Sequence, residues 1–160
     1  MTDLLLAWDN DSWSADLLLA DGALSTDDGM RTAILISLFT DARAPAGAEL
    51  PERGADQGGW WGNDFPADDT RGGELGSTLW LLRRAKVTRA VIEQARQAAL
   101  SALAWLIEDG VVSALDVEAE AQAEGGTLQR LALGIWLERP AGPARQRFDF
   151  VWNASTGVLS

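Results

Sequence analysis

The chain has 160 residues, 47% of them apolar, which is enough to bury a core within a single domain spanning 1–160, and its formal net charge is −11. With no cysteine, histidine or tyrosine, it has no disulfides, thiolate metal sites, imidazole bases or phenolic acids; carboxylates, hydroxyls and one lysine remain. A pI near 4.3 repels phosphate backbones and anionic lipid, so neither nucleic acid nor a membrane is an expected partner.

The opening M-T-D-L-L-L-A-W-D-N-D lacks the basic start and long apolar run of a signal peptide, and no apolar stretch approaches membrane-spanning length. Synthesis in the cytosol, without signal-directed secretion, is expected. The pentapeptide D-L-L-L-A occurs at Asp3–Ala7 and again at Asp16–Ala20 around a polar turn, which predicts a β-hairpin. A third short strand is expected at Ala23–Ser25 after the Asp21-Gly22 turn signal. The acidic D-N-D-S is not a calcium loop, because Trp13 and Ser14 stand where an EF-hand needs Asp or Asn and then Gly.

Thr26 or Asp27 can cap a helix running to about Thr40. Met30, Ala33, Ile34, Ser37 and Leu38 share one face, and Leu35, Ile36 and Phe39 extend the apolar surface most of the way round, so burial on several sides is expected. From about 41 to 73 no helix or strand pattern persists, and Pro45, Pro51, Pro66 and many Gly and Asp predict a long irregular loop, mobile except at Trp60-Trp61. These two tryptophans either fold back to plug the core or dock into a neighbouring protein.

Gly76–Lys86, G-S-T-L-W-L-L-R-R-A-K, sets the densest apolar cluster beside three of the thirteen basic side chains, Arg83, Arg84 and Lys86. Four consecutive apolar residues cannot share one stripe of a short helix, so part of Leu79–Leu82 is expected inside and part, with the cations, facing outward. The longest helix follows. Thr88 is its predicted cap, Val87 and Ile92 its hydrophobic staple, Val91 to Ile107 its apolar stripe and Gly110 its end, with Trp105 off the stripe as a further outside contact.

The final third alternates with period two. Leu115–Ala123, Leu131–Leu137 and Phe148–Trp152 predict three antiparallel strands with one apolar face under the long helix, joined by Gly125-Gly126 and P-A-G-P-A-R. On the polar face Glu118 or Glu120 is expected opposite Arg130, and Trp136 either packs over Gly134 and Val151 or meets a partner. The fold class is α+β: an N-terminal hairpin, two main helices plus a short one, and a meander packed on the long helix.

G-S-T-L-W-L-L-R-R-A-K resembles the G-S-x-L-W-L-L-x-R-x-K signature of a baseplate family from Mu-like phages and prophages with contractile tails. Further stretches resemble that family in order: L-A-W-D near the start, D-D-G-M-R-T-A-I-L-I-S-L-F-T-D-A-R-A at 27–44, G-W-W-G at 59–62 and the closing R-F-D-F-V-W. The likeness spans essentially the whole chain. It implies a structural baseplate wedge component, related to the small lysozyme-like wedge subunit of larger contractile-tail phages, located in the virion tail after assembly. Other wedge, hub and tail proteins are the implied partners, and Trp60, Trp61, Trp80, Arg83, Arg84, Lys86 and Trp136 are the candidate contact residues.

The alternative is a tail-associated glycosidase cleaving cell wall, since that chemistry needs only two carboxylates. Asp64 and Glu74 are the nominated pair, although no spacing among twenty-four acidic residues singles them out. Gly72-Gly73-Glu74-Leu75-Gly76 lacks the phosphate-loop lysine and the dinucleotide spacing. No catalytic residue, cofactor site or metal site is assigned.

Overall fold

Strict apolar/polar alternation builds the largest element, an antiparallel sheet. The computed structural model describes residues 3–9, 14–17, 19–24, 26–27, 30–52, 54–65, 74–124, 127–140, 145–153 and 158–159. The described N-terminal strands are β1 (Asp3–Leu4), β2 (Leu6–Asp9), β3 (Ser14–Leu17), β4 (Leu19–Ala20), β5 (Ala23–Leu24) and β6 (Thr26–Asp27). The C-terminal strands are β7 (Ala114–Glu124), β8 (Thr127–Glu138), β9 (Gln146–Asn153) and β10 (Val158–Leu159), in the spatial order β10-β9-β8-β7. Three of these are the expected meander. The two-residue β10 extends it on the β9 edge, with Val158 opposite Asn153.

Register places Val117 opposite Ile135 and Ile135 opposite Phe148, so one face of the sheet is continuously apolar. Val117, Leu131, Leu133, Ile135, Leu137 and Phe150 are buried there. Against this face lies α2 (Arg89–Leu103), which buries Ala95, Ala98, Ala99 and Leu103. Its Thr88 cap forms as expected: the hydroxyl oxygen accepts the Val91 N–H at 3.3 Å. Val87 and Ile92 both pack on the core.

The predicted long helix is interrupted at Ala104, where the N–H bonds three residues back to Ser101 and a one-turn α3 (Trp105–Glu108) follows. The turn sends Leu106 into the core and aims Trp105 Nε1–H at Ser37 Oγ, 3.1 Å away. Trp105 is therefore a tie to the first helix, not the outside contact expected of it. That helix, α1 (Met30–Phe39), buries Met30, Ile34, Ser37 and Leu38, with Leu35 and Phe39 packed on the core, but leaves Ile36 exposed. Its apolar surface is thus narrower than the sequence suggested.

The predicted hairpin forms, but over Leu6–Asp9 and Ser14–Leu17, with Leu6 opposite Leu17 and Ala7 opposite Asp16; the outer residues of the two pentapeptides, Asp3-Leu4 and Leu19-Ala20, pair with β6 and β5 instead. β4 and β5 turn through Asp21 and Gly22, whose φ angles of 51° and 79° are the two positive values a tight two-residue hairpin requires. β1 pairs with β6, and Thr32 Oγ1–H donates to the Leu4 carbonyl at 3.2 Å to join this ladder to α1. Thr26 and Asp27, expected to cap α1, are instead strand residues of β6 held by β1, short of the helix start at Met30. The rest of the D-N-D-S turn, Ser25, Asp28, loop residues 66–73, the Gly125-Gly126 turn and most of P-A-G-P-A-R lie outside the described residues.

Candidate partner interface

The Gly76–Lys86 segment and the loop before it form one unit. Asp41 and Ser77 make a parallel bridge, in which Ala42 N–H donates to the Ser77 carbonyl and Ser77 N–H to that of Thr40, each at 2.9 Å. Ser77 is buried, and its hydroxyl donates to the Leu38 carbonyl at the end of α1 while accepting the Leu79 N–H. The strands of chain come this close because residue 76 is glycine: a Cβ there would stand 2.7 Å from the Thr40 oxygen.

Leu79–Leu82 forms a 3-10 turn that buries Leu79 and Trp80 and leaves Leu81 and Leu82 half-buried. The expected division between inside and outside therefore holds, but Trp80 belongs to the inside. It is 8% exposed, and its Nε1–H donates to the Ala42 carbonyl at 2.7 Å. Its ring lies against Gly58, where a Cβ would approach to 2.8 Å. Trp80 is an internal anchor for the loop, not the outward contact residue expected of it.

Arg83 and Arg84 also have partners at home. Arg83 Nη2 donates to Asp41 Oδ1 at 3.3 Å and Arg84 Nη1 to Glu52 Oε1 at 2.8 Å, with Asp41 part-buried and the other three side chains exposed. The reason is proximity, since the bridge at Ser77 carries the arginines beside the start of the loop. Exposed pairs of this kind contribute about 0–1 kcal/mol each. Partial burial raises the Asp41 pKa, and Arg83 only partly opposes it. Lys86 is exposed.

Trp60 and Trp61 were expected either to plug the core or to face a partner. The structure places both outward, 39% and 72% exposed, with Phe65 beside them at 76%. The ring centroids of Trp60 and Trp61 are 5.6 Å apart, and those of Trp61 and Phe65 6.3 Å. Gly62 makes room for this cluster, because a Cβ there would collide with the Trp60 ring at 2.2 Å. A 3-10 turn at Trp61–Asp64 carries the rings, closed by Asn63 N–H to the Trp60 carbonyl at 3.0 Å. Asn63 then brackets Leu75, its Nδ2 donating to the Leu75 carbonyl and its Oδ1 accepting the Leu75 N–H, both at 3.1 Å.

The loop's fixing points are accordingly Ala42, Gly58, Asn63 and the buried Ala44, whose N–H donates to the Gln57 carbonyl at 2.7 Å. The tryptophans are what it displays, so of the two expected readings they do not follow the one that plugs the core. Phe65 was missed by the sequence reading, and its signal was its place four residues after Trp61, across a glycine.

Trp136, on the polar sheet face, is half-buried, with the Arg145 and Arg147 guanidinium groups 4.3 and 4.9 Å from its ring centroid. Arg147 crosses Gly134 to reach Glu118 at 3.6 Å and donates to Asp149 at 2.7 Å. Glu118 thus meets Arg147, while register sets Arg130 opposite Gln122. Covered by two arginines, Trp136 is a weaker contact candidate than Trp61.

An open groove of about 750 Å³ runs between Glu49–Pro51, Leu81–Ala85 and the Glu93–Ser101 face of α2. Asp64 and Glu74, the nominated carboxylates, are both exposed and do not line it. Among the described residues no group of three or more acidic side chains is placed to hold a metal ion, and no helix is long and apolar enough to cross a membrane.

Residues 30–144, from α1 past β8, match the family Phage protein GP46. The chain is 41% identical over 136 residues to "Baseplate protein gp46" of Escherichia phage Mu, covering 84% of this chain and 88% of the relative. It is 36% identical over 154 residues to "Mu-like prophage FluMu protein gp46" of Haemophilus influenzae, covering 96% of this chain and 99% of the relative. With that family match over most of its length and two relatives above 30% identity, the chain belongs to the phage GP46 family.

Proposed function

We propose that this chain is a structural subunit of the baseplate in a Mu-like contractile tail, a wedge component that works by protein–protein contact and has no catalytic role. Its relatives are named as a baseplate protein of phage Mu and a protein of a Mu-like prophage, which supports the setting. The observation that carries the contact role is the Trp60, Trp61 and Phe65 cluster, exposed on a turn held by Asn63 to Leu75 and preceded by Gly58 packed on Trp80. Large aromatics displayed together are characteristic of binding anchors, whereas isolated surface apolar residues are ordinary. The partners in this reading are other wedge, hub or tail proteins, and the protein is made in the host cytoplasm and resides in the virion tail.

Co-expression with the neighbouring tail proteins of the same phage or prophage, followed by sizing, tests this. A stable stoichiometric complex is expected, and the purified chain is expected not to release fragments from peptidoglycan. Lysis by the wild type that Glu74→Gln abolishes would overturn the structural reading.

A further inference from the structure

We infer that Trp60, Trp61 and Phe65 dock into an apolar pocket of a partner protein whose rim carries arginine or lysine, with Trp61 and Asp64 together receiving one of those cations. This rests on the baseplate reading and adds the partner's chemistry.

Charge is the first argument. Among the described residues from Gly54 to Phe65 the chain holds Asp56 and Asp64 and no lysine or arginine, with Arg43 the cation beside Gly59, within a chain of net charge −11. An anionic partner, whether nucleic acid, acidic lipid or another acidic surface, is repelled from the aromatic turn, whereas a cationic rim is drawn to it. A second copy of this chain is disfavoured on the same ground.

Geometry is the second. In a 3-10 helix, side chains three positions apart lie in line, so Asp64 stands on the same edge of its turn as Trp61. An indole face is the strongest aromatic acceptor for a cation, and a carboxylate beside it supplies a charged hydrogen-bond acceptor. A guanidinium stacked on Trp61 therefore finds both within one turn. The chain uses the same chemistry internally, since Arg147 lies 4.9 Å from the Trp136 centroid while donating to Asp149 at 2.7 Å.

Preorganisation is the third. The Asn63 bracket on Leu75 and the packing of Gly58 on Trp80 fix the turn before any partner arrives. Binding then pays little to order it, which favours a small aromatic anchor as an affinity determinant.

The test uses the co-expressed complex with neighbouring tail proteins, the full-length chain and a titration in KCl. Trp61→Ala is expected to weaken the complex at least about 30-fold, as removal of a central aromatic anchor does. Trp61→Leu, which keeps apolar bulk but lacks the ring face, is expected to lose most of that affinity too, and Asp64→Asn to weaken binding and flatten its salt dependence. Unchanged melting temperatures would show these variants to be folded. A wild-type complex that tolerates Trp61→Ala, or whose affinity does not fall with KCl, overturns this inference and leaves the baseplate reading standing. No complex with any neighbouring tail protein overturns both. Binding of the wild type to phosphatidylcholine vesicles through Trp61, with complex formation unaffected by Trp61→Ala, assigns the cluster to a membrane instead and also overturns it.

Discussion

Trp80 and Trp61 belong to one loop system and meet opposite fates. Trp80 has its indole N–H on the Ala42 carbonyl and its ring on Gly58, and Trp61 has a neighbouring tryptophan, a phenylalanine and solvent. Residue type does not separate them. What separates them is whether the chain supplies a carbonyl to satisfy the indole and a glycine to admit the ring. Removing the buried tryptophan costs the fold, and removing the displayed one leaves the fold's own contacts largely in place.

The largest expected effect is at the buried end. Trp80→Ala should destabilise the isolated protein by about 3–5 kcal/mol, because it leaves a cavity and an unpaired Ala42 carbonyl. Chemical denaturation measures this, and a loss below about 1 kcal/mol would make Trp80 an ordinary surface residue. Gly58→Ala sharpens the same point without touching the tryptophan. Its φ of 65° and the 2.8 Å approach to the Trp80 ring should cost about 1–3 kcal/mol. At the displayed end, Trp61→Ala should change stability by less than about 0.5 kcal/mol.

The smallest effect is a pH dependence at the loop's root. Burial raises the folded pKa of Asp41 above its ordinary 3.8, with Arg83 opposing the shift. A raised folded pKa means that the contribution to stability is fully present below the ordinary value and is lost as pH rises through the folded one. Compared with Asp41→Asn, the wild type should therefore lose ground as pH climbs from below 3.8. Urea melts of the two proteins across that range check the sign, and a wild type that gains on the variant over the same interval contradicts it.

The hairpin of repeated pentapeptides, the Thr88 cap and the alternation of β7 to β9 were legible because each is written in local spacing. β10 was not, since two residues carry no period and their pairing depends on the free edge of β9. The loop's anchors were hidden for a related reason. Arg83 meets Asp41 and Trp80 meets Ala42 across long separations in sequence, so composition showed the irregularity of the loop but not what fastens it. The same limit left the fate of Trp60-Trp61 open and Phe65 unnoticed, and it made Arg83 and Arg84 look available when each had a carboxylate nearby.

The bridge between Asp41 and Ser77 makes the intervening chain a detour that leaves and rejoins the core at one point. The entropy of closing such a detour grows only with the logarithm of its length, about 0.6 kcal/mol for each doubling. Its outer part can therefore be lengthened, shortened or rewritten with little effect on the helix-on-sheet body, provided the residues that seat Trp80 are kept. A protein built this way can change what its loop displays on a different timetable from how it folds.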